Sequence, residues 1–194
     1  MLDRFLGPAS ERLLGGWATL VLQSGLTPNR LTLIGFFFGL AAAISAGLQA
    51  YALALILVLL NRLFAGLSGI MARMSLKTAF GSYLALVCDI AIVASFIFFF
   101  SLGMMSSGLA AAFAIFAYGL MIATWLARVC FERRSDPLSL IRGGLVGNSE
   151  TIFFLALCCV MPQWFPALAA LFGLLCLAAA VLHFAAGMKT LRSQ

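Results

Sequence analysis

Charged residues are scarce in this sequence of 194 residues. Asp, Glu, Lys and Arg together make up 9% of it, whereas a soluble domain contains about 25% charged residues. Hydrophobic residues make up 64%, against about 45–50% in soluble domains. These two departures exclude a water-soluble globular domain. The chain has room for about six membrane helices of ~20 residues joined by short loops.

Residues that usually bind transition metals or form disulfides are also few. The sequence has one histidine and five cysteines, and no two cysteines have CxxC spacing, so neither a zinc site nor a disulfide framework is indicated. All five cysteines lie in or beside apolar runs, which predicts small buried side chains. They are Cys88, Cys130, Cys158, Cys159 and Cys176. His183 has no His or Cys three or four residues away, which favours a packed side chain over a metal ligand.

Long apolar runs account for most of the chain. They cover roughly residues 31–48, 51–72, 79–101, 107–127, 149–161 and 165–187. Gly35 and Gly39 form a GxxxG motif in the first run, which predicts the close approach of a neighbouring helix. The runs predict an all-α integral membrane protein with six transmembrane helices.

Acidic residues are half as frequent as basic ones, and the basic residues are unevenly distributed. With the N-terminus inside, the inside segments contain Arg4, Arg12, Arg30, Arg73, Lys77, Arg128, Arg133, Arg134, Arg142, Lys189 and Arg192. The outside loops, at about 48–50, 102–106 and 162–164, contain no Lys or Arg. This split satisfies the positive-inside rule and predicts a bacterial inner-membrane protein with both termini cytoplasmic. The basic residues behind the net charge of +6 therefore set the membrane topology and have some affinity for anionic lipid. Nucleic-acid binding is not indicated.

The first 24 residues differ from the spans that follow them. Their apolar residues Leu2, Phe5, Leu6, Leu13, Leu14 and Trp17 are interspersed with charged ones. This pattern predicts an interfacial amphipathic helix. We therefore expect one membrane domain over residues 1–194. It comprises the interfacial helix at 1–24, spans one to four at 25–130, a cytoplasmic loop at 131–148, and spans five and six with a tail at 149–194.

Arg62 and Asp89 lie deep within two of the apolar runs. Arg62 lies about twelve residues before the cytoplasmic end of span two, and Asp89 about twelve residues after the start of span three. We therefore expect them at similar depths on neighbouring antiparallel helices. Each charge alone would cost ~2.5–3.5 kcal/mol at the bilayer centre. Two interpretations stay open, namely a structural ion pair and a substrate or ion site.

Small residues follow one face of each of the same two spans. In span two they are Ala65, Ser68, Gly69 and Ala72. In span three they are Gly81 and Ala85, which lie eight and four residues before Asp89 on the same helix face. Such faces usually let helices approach closely. We expect them to pack spans two and three together.

The same residues resemble the signature of a known family. Residues 65–73 have the pattern AxxSGxxAR and, after seven residues, residues 81–89 have the pattern GxxxAxxxD. The signature of the CDP-alcohol phosphatidyltransferases is DxxDGxxAR, a short spacer and GxxxDxxxD. GLTPNRLTLIGFFFGL at 25–40, LLNRL at 59–63 and RGGLVGNSET at 142–151 also resemble that family. The resemblance covers most of the chain and implies the family's bundle of six membrane helices with an N-terminal interfacial helix.

The departures from the signature fall on its acids. In the family, the first three aspartates hold two divalent ions on the pyrophosphate of a CDP-linked donor, and the fourth is the base for the attacking alcohol. At the matching positions this chain has Ala65, Ser68, Ala85 and Asp89. Because Mg²⁺ requires oxygen ligands and compensating carboxylates, one acid cannot offset two divalent ions. The resemblance therefore implies that Asp89 is a vestigial base position and that no metal is bound.

Other signature positions are retained. The resemblance implies a vestigial nucleotide- or phosphate-binding role for Gly69, Ala72, Arg73 and Gly81. Arg73 has a second interpretation as a positive-inside anchor. Arg133, Arg134 and Arg142 are candidates for contact with lipid phosphates, and they also fit a purely topological role.

Three functional hypotheses result. The first is a catalytically inactive phosphatidyltransferase-like protein, which serves as a membrane-embedded accessory or structural subunit or as a lipid-binding scaffold. The second is an active transferase with an altered metal site, which would use Mg²⁺ or Mn²⁺. The third is a small transporter or channel, although no inverted repeat or broken helix pair is visible. Under the first hypothesis no cofactor is expected. Its partners are membrane phospholipids and either a second copy in a homodimer or another membrane protein.

Overall fold

The structure, a computed structural model, describes residue 16 and residues 26–74, 78–131 and 148–192. Between residues 26 and 192, the described segments form six α-helices and two short 3₁₀ turns. The helices are α1 (Pro28–Gly47), α2 (Tyr51–Met74), α3 (Ala79–Gly103), α4 (Gly108–Phe131), α5 (Asn148–Val160) and α6 (Phe165–Arg192). The 3₁₀ turns are Met105–Ser107 and Pro162–Trp164. The all-helical class predicted from the apolar runs is therefore confirmed for these segments.

Threonine caps begin two of the helices that form the site. The hydroxyl of Thr27 accepts a hydrogen bond from the backbone N–H of Arg30 at 3.4 Å, and Pro28 follows as the first residue of α1. The hydroxyl of Thr78 accepts from the backbone N–H of Gly81 at 3.1 Å and starts α3. Each cap satisfies one backbone donor that a helix start leaves without an intrahelical partner. The two helices begin side by side, since a Cβ atom added at Gly81 in the first turn of α3 would lie 2.8 Å from Oδ1 of Asn29 in the first turn of α1.

Helix α1 is the shared neighbour of α2 and α3, which have few direct backbone contacts with each other. A Cβ atom added at Gly35 would lie 3.1 Å from Cβ of Phe64 in α2, and one added at Gly39 would lie 2.7 Å from Cδ1 of Ile92 in α3. The close approach predicted from the GxxxG motif is confirmed. The expectation that small residues pack spans two and three together is wrong, because α1 mediates their packing and the small faces border a cavity.

The main apolar core contains buried residues from all six described helices. The rings of Phe100 in α3 and Phe165 in α6 stack with centroids 4.1 Å apart, and those of Phe154 in α5 and Phe172 in α6 with centroids 4.2 Å apart. Such aromatic pairs add stabilisation beyond the area that they bury. On α3 this core includes Val93 and Phe96, which lie one and two helical turns beyond Asp89.

Five of the described helices are long and apolar enough to cross a membrane, namely α1, α2, α3, α4 and α6. Helix α5 has 13 residues, or ~20 Å of helix, which is shorter than the ~30 Å hydrocarbon core of a bilayer. The count of six full spans is therefore not established by the described helices. Apart from residue 16, the predicted interfacial helix at 1–24 lies outside the described residues, as does nearly all of the predicted loop at 131–148.

The cysteines are buried with one exception. Cys88, Cys158, Cys159 and Cys176 are buried and free, as predicted for small apolar residues. Cys130 is exposed, so the prediction is wrong at this position. It directly precedes Phe131, the last residue of α4. His183 is 9% exposed, which confirms a packed side chain.

Candidate functional site

A cavity of about 480 Å³ opens among the first three helices. Its lining includes small and polar residues from all three helices: Thr27, Pro28, Asn29, Thr32, Gly35 and Phe36 from α1 and its cap; Asn61, Ala65, Ser68, Gly69, Ala72 and Arg73 from α2; and Thr78, Gly81, Ser82, Ala85, Cys88, Asp89 and Ile92 from α3 and its cap. We call the end at Thr27, Arg73 and Thr78 the mouth, and the end at Asn61 and Asp89 the floor. The volume lies in the range of small-molecule sites, which is about 300–1,000 Å³.

All four positions that match the acids of the family signature line this cavity. They are Ala65, Ser68, Ala85 and Asp89. The structure therefore brings together two segments that the sequence separates by seven residues. Methyl groups at two of the positions and a hydroxyl at the third leave Asp89 as the one carboxylate among the four. The other retained signature positions, Gly69, Ala72, Arg73 and Gly81, line the cavity as well.

Asp89 and Arg62 form an ion pair at the floor. Nη1 of Arg62 lies 3.3 Å from Oδ1 of Asp89. The Arg62 side chain is 10% exposed and that of Asp89 is 37% exposed. The carboxylate therefore faces the cavity, while the guanidinium lies behind it in the protein. Each charge offsets the other, which lowers the cost of placing both inside a membrane helix bundle.

Asn61 is a site residue that sequence reasoning missed. Its Nδ2 donates a hydrogen bond of 2.7 Å to the backbone carbonyl oxygen of Gly35, and the side chain is 3% exposed. This bond joins α2 to α1 at the floor of the cavity, where Gly35 has no side chain to block it. The available signal was an amide inside an apolar run, directly beside Arg62.

Two glycines of the signature have opposite surroundings. A Cβ atom added at Gly69 would have no heavy atom within 4 Å, so this position borders open cavity. A Cβ atom added at Gly81 would lie 2.8 Å from Oδ1 of Asn29 and 3.1 Å from the hydroxyl oxygen of Thr78. Gly81 therefore allows α3 to start close to α1, whereas Gly69 leaves space that a ligand can fill.

The mouth has a positive electrostatic character. The starts of α1 and α3 both lie there, and helix starts carry partial positive charge. Arg73 lines the same end in the last turn of α2. The three arginines that the sequence offered as lipid-phosphate contacts, Arg133, Arg134 and Arg142, lie outside the described residues.

The cavity does not fit the two divalent ions that the family signature implies. Among residues 26–74, 78–131 and 148–192, no group of three or more His, Cys, Asp or Glu side chains could hold a metal ion. Divalent magnesium requires several oxygen ligands and carboxylates that offset its charge. Asp89 already contacts Arg62, and the side chains of Ala65 and Ala85 have no ligand atom. The donor set present therefore does not fit a two-metal site.

Comparison with known proteins identifies a relative by sequence and a solved structure with a similar fold. The chain is 33% identical to the inner membrane protein YnjF of Escherichia coli (strain K12) over 202 aligned positions, which cover 100% of this chain and 98% of YnjF. Its fold is similar to that of the phosphatidylinositol phosphate synthase PgsA1 of Mycobacterium tuberculosis, whose crystal structure has CDP-DAG bound. The TM-score is 0.72 with 22% sequence identity, and the match covers 92% of this chain and 93% of PgsA1. No family model matches the chain.

Proposed function

Since this chain belongs to the family of the Escherichia coli inner membrane protein YnjF and has the fold of a CDP-alcohol phosphatidyltransferase, we propose that it is a catalytically inactive member of that fold. It acts in the inner membrane as a lipid-binding scaffold or as an accessory subunit. The observation that supports the proposal most directly is the cavity lining. Of the four positions that match the signature acids, only Asp89 is a carboxylate, and it contacts Arg62.

The loss of the acids argues against phosphatidyl transfer. In two-metal sites, the paired ions stabilise both the attacking and the leaving oxygen. Here one carboxylate remains, and an arginine is its ion-pair partner. Transfer from a CDP-linked donor by the route that the signature implies would need Mg²⁺ or Mn²⁺ at positions that supply no ligand.

The cavity nevertheless keeps features that favour a lipid headgroup. PgsA1 was crystallised with CDP-DAG, a lipid whose headgroup contains phosphates. In this chain, Arg73 and two helix starts line the mouth, and Gly69 borders open space beside them. Positive charge near helix starts attracts phosphate oxygens. A phospholipid with its phosphate at the mouth would lie beside Arg73 and the two helix starts, and its headgroup would occupy the open space beside Gly69.

The proposed topology has six spans and both termini on the cytoplasmic side. Helix α5 and the turn at Pro162–Trp164 together form the short fifth crossing. The distribution of Lys and Arg supports this orientation through the positive-inside rule. The mouth of the cavity then faces the cytoplasm, because α1 and α3 begin on that side. A homodimer or a second membrane protein completes the proposed assembly.

The central test is an assay for transfer with the purified protein. We expect no release of CMP from CDP-diacylglycerol with Mg²⁺ or Mn²⁺, whichever alcohol is supplied. PgsA1 provides the positive control for the assay. Metal-dependent release of CMP that disappears in Asp89→Asn would contradict the proposal and would favour an active transferase with an altered metal site.

A second measurement tests lipid binding separately. After gentle detergent extraction, native mass spectrometry should detect phospholipid that stays bound to the protein, and lipid extraction should identify it. A protein that retains no lipid above the level of Gly69→Leu, whose added side chain enters the cavity, would contradict the lipid-binding role. Proteins that co-purify under the same conditions identify the partner of an accessory subunit.

A further inference from the structure

Helices α4 and α6 pack against each other along one face of each helix. Buried residues mark this face at intervals of three and four positions. They are Ala114, Tyr118 and Met121 on α4, and Cys176 and Ala180 on α6, and each of them is at most 7% exposed. We call the contact between these two faces the α4–α6 seam. It lies apart from the cavity, which is lined by residues of α1, α2 and α3 and their caps.

Two glycine contacts give the register of the seam. A Cβ atom added at Gly173 in α6 would lie 3.3 Å from Cα of Ala114 in α4, and one added at Gly187 would lie 4.0 Å from Cγ of Arg128. The second contact lies fourteen residues after the first on both helices. The helices are therefore parallel and stay in register along this length.

Two buried nitrogen atoms lie about one helical turn before the second contact. Trp125 precedes Arg128 by three residues, and His183 precedes Gly187 by four, so both side chains belong to the seam. Nε1 of Trp125 and Nδ1 of His183 are buried, and neither has a hydrogen-bond partner in the described part of the chain. His183 as a whole is 9% exposed. Since most buried polar side-chain atoms have a partner, either protein or ordered water, these two atoms indicate a bound molecule.

Gly187 leaves room beside these nitrogens. It is buried, yet among the described residues the only atom within 4 Å of an added Cβ, apart from the backbone of its own helix, is Cγ of Arg128. A helical side chain covers the surface over the turn that precedes it, so the missing side chain of Gly187 uncovers the surface at His183. A buried space that is lined by polar atoms can hold a water molecule.

We propose that the α4–α6 seam binds one ordered water molecule between Trp125 and His183, in the space that Gly187 leaves. The water oxygen accepts the indole N–H of Trp125, and one water proton is donated to Nδ1 of His183. An indole N–H is a donor only, so with Nδ1 as an acceptor the ligand must both accept and donate, which water does. This site does not depend on the proposed lipid-binding function.

Nuclear magnetic resonance of the full chain in nanodiscs tests the site directly. The indole N–H of Trp125, identified by its loss in Trp125→Phe, should show a cross-peak to a long-lived water. Nδ1 of His183 should have the chemical shift of an unprotonated, hydrogen-bonded nitrogen. Absence of the water cross-peak, or a cross-peak to lipid protons in its place, would overturn the inference. A Trp125 N–H signal that shifts on titration with chloride or phosphate would identify an anion site and would also overturn it.

Gly187→Ala tests the space, with Gly119→Ala as its matched control. Both variants add one methyl group to a helix and gain the same helix propensity, but at Gly119 nothing lies within 4 Å of the added Cβ. If water occupies the space, Gly187→Ala should weaken the water cross-peak and lower Tm by about 2–4 °C relative to Gly119→Ala. A Tm at or above that of Gly119→Ala would mean that the space is dry and would overturn the inference.

A double-variant cycle tests whether one molecule joins both side chains. Trp125→Phe removes the indole N–H, and His183→Leu removes the imidazole at similar volume. Each should lower Tm by about 2–4 °C, and the double variant should lose less than the sum, because the second change acts on a water that is already lost. Trp164→Phe, at a side chain that is 60% exposed in the turn before α6, is the control for loss of an indole and should change Tm little.

Two outcomes of the cycle would count against the bound water. Additive losses would mean that no single molecule connects the two nitrogens. A higher Tm for His183→Leu than for wild type would mean that Nδ1 had no partner to lose, because replacing an unpartnered buried polar group by an apolar one removes a penalty.

Discussion

At one end of the α1–α3 pair the two backbones touch, and at the other end both helices line the cavity. We call the touching end, formed by Gly47, Gln49, Phe99 and Gly103, the closed end. There, a Cβ atom added at Gly103 would lie 2.5 Å from the carbonyl oxygen of Gly47, and one added at Gly47 would lie 2.8 Å from that of Phe99. Gln49, held at a positive φ of 63°, donates a hydrogen bond of 2.7 Å to the Gly103 carbonyl.

Glycine has different roles at the two ends. At the closed end it permits backbone contact, and the atoms that an added side chain would meet are backbone atoms that cannot move aside. At the mouth and along α2, Gly69 meets nothing within 4 Å and leaves room for a ligand. The closed end and the aromatic core thus fix the positions of the helices. The side chains that line the cavity can therefore differ in chemical type without disturbing the packing of the helices. Side chains without a carboxylate at Ala65, Ser68 and Ala85 are compatible with an intact fold for this reason.

The largest effect on stability is expected at the closed end. Gly103→Val places two methyl groups and a Cβ against the backbone of Gly47, which no rotamer change relieves. Overpacking of this kind typically costs about 1–3 kcal/mol and occasionally more. Thermal unfolding in detergent should show a lower Tm. Gly108→Val, at a glycine where an added Cβ meets nothing within 4 Å, is the matched control and should change Tm little.

A Tm for Gly103→Val equal to that of the Gly108→Val control would mean that the closed end is not tightly packed. It would also remove the contrast between the two ends, because α1 and α3 would then be free to shift. The Tm of Gln49→Ala should lie between those of Gly103→Val and Gly108→Val, since this variant removes one hydrogen bond and leaves the glycine contact in place.

The next largest effect is expected at the floor, where the two charges are unequally buried. Asp89→Asn leaves the Arg62 guanidinium, which is 10% exposed, without its carboxylate partner. Arg62→Met leaves Asp89, which is 37% exposed toward the cavity. Removing one partner of a fully buried pair costs about 3–5 kcal/mol, and partial exposure reduces this to about 1–3 kcal/mol here. Asp89→Asn should therefore lower Tm more than Arg62→Met.

The double variant Arg62→Met with Asp89→Asn is the control for this prediction. The double variant has no Arg62 charge left in the bundle without the Asp89 carboxylate beside it. It should therefore be more stable than Asp89→Asn alone. Additive losses in the double variant would show that the two side chains do not interact energetically. The 3.3 Å contact would then have no bearing on how the chain tolerates charge at this depth.

The sequence predicted the helices and the residues of the cavity better than it predicted their packing. Hydropathy placed the apolar runs to within a few residues, because a membrane helix must satisfy its backbone internally. The spacing of the signature placed Ala65, Ser68, Ala85 and Asp89 in one site. Periodicity alone did not indicate which helix each small face borders, so α2 and α3 were expected to touch. Long-range contacts such as Gly47 with Gly103 have no local sequence signal.

Restoring the acids tests whether the cavity keeps the shape of a metal site. Ala65→Asp, Ser68→Asp and Ala85→Asp together should confer binding of Mg²⁺ or Mn²⁺, measurable by calorimetry, because all three positions line the cavity with Asp89. At 100 times the Kd, a bound ion stabilises the folded state by about 2.7 kcal/mol. The corresponding triple Asn variant is similar in shape and should bind no ion. Absence of binding in the triple Asp variant would mean that the helices around the cavity have moved from a metal-binding arrangement.

The smallest effect on stability is expected at Gly69, and that small effect is informative. Gly69→Leu and Gly119→Leu both add a side chain where nothing lies within 4 Å of the new Cβ, and both replace glycine by a better helix former. Their Tm values should therefore stay close to that of wild type and to each other. Only Gly69 lines the cavity, so only Gly69→Leu should lose bound phospholipid in native mass spectrometry.

If Gly69→Leu lowered Tm as much as Gly103→Val does, the α2 side of the cavity would be a packed interface like the closed end. If it kept its lipid, the bound lipid would lie on the outer surface of the bundle and not among the first three helices.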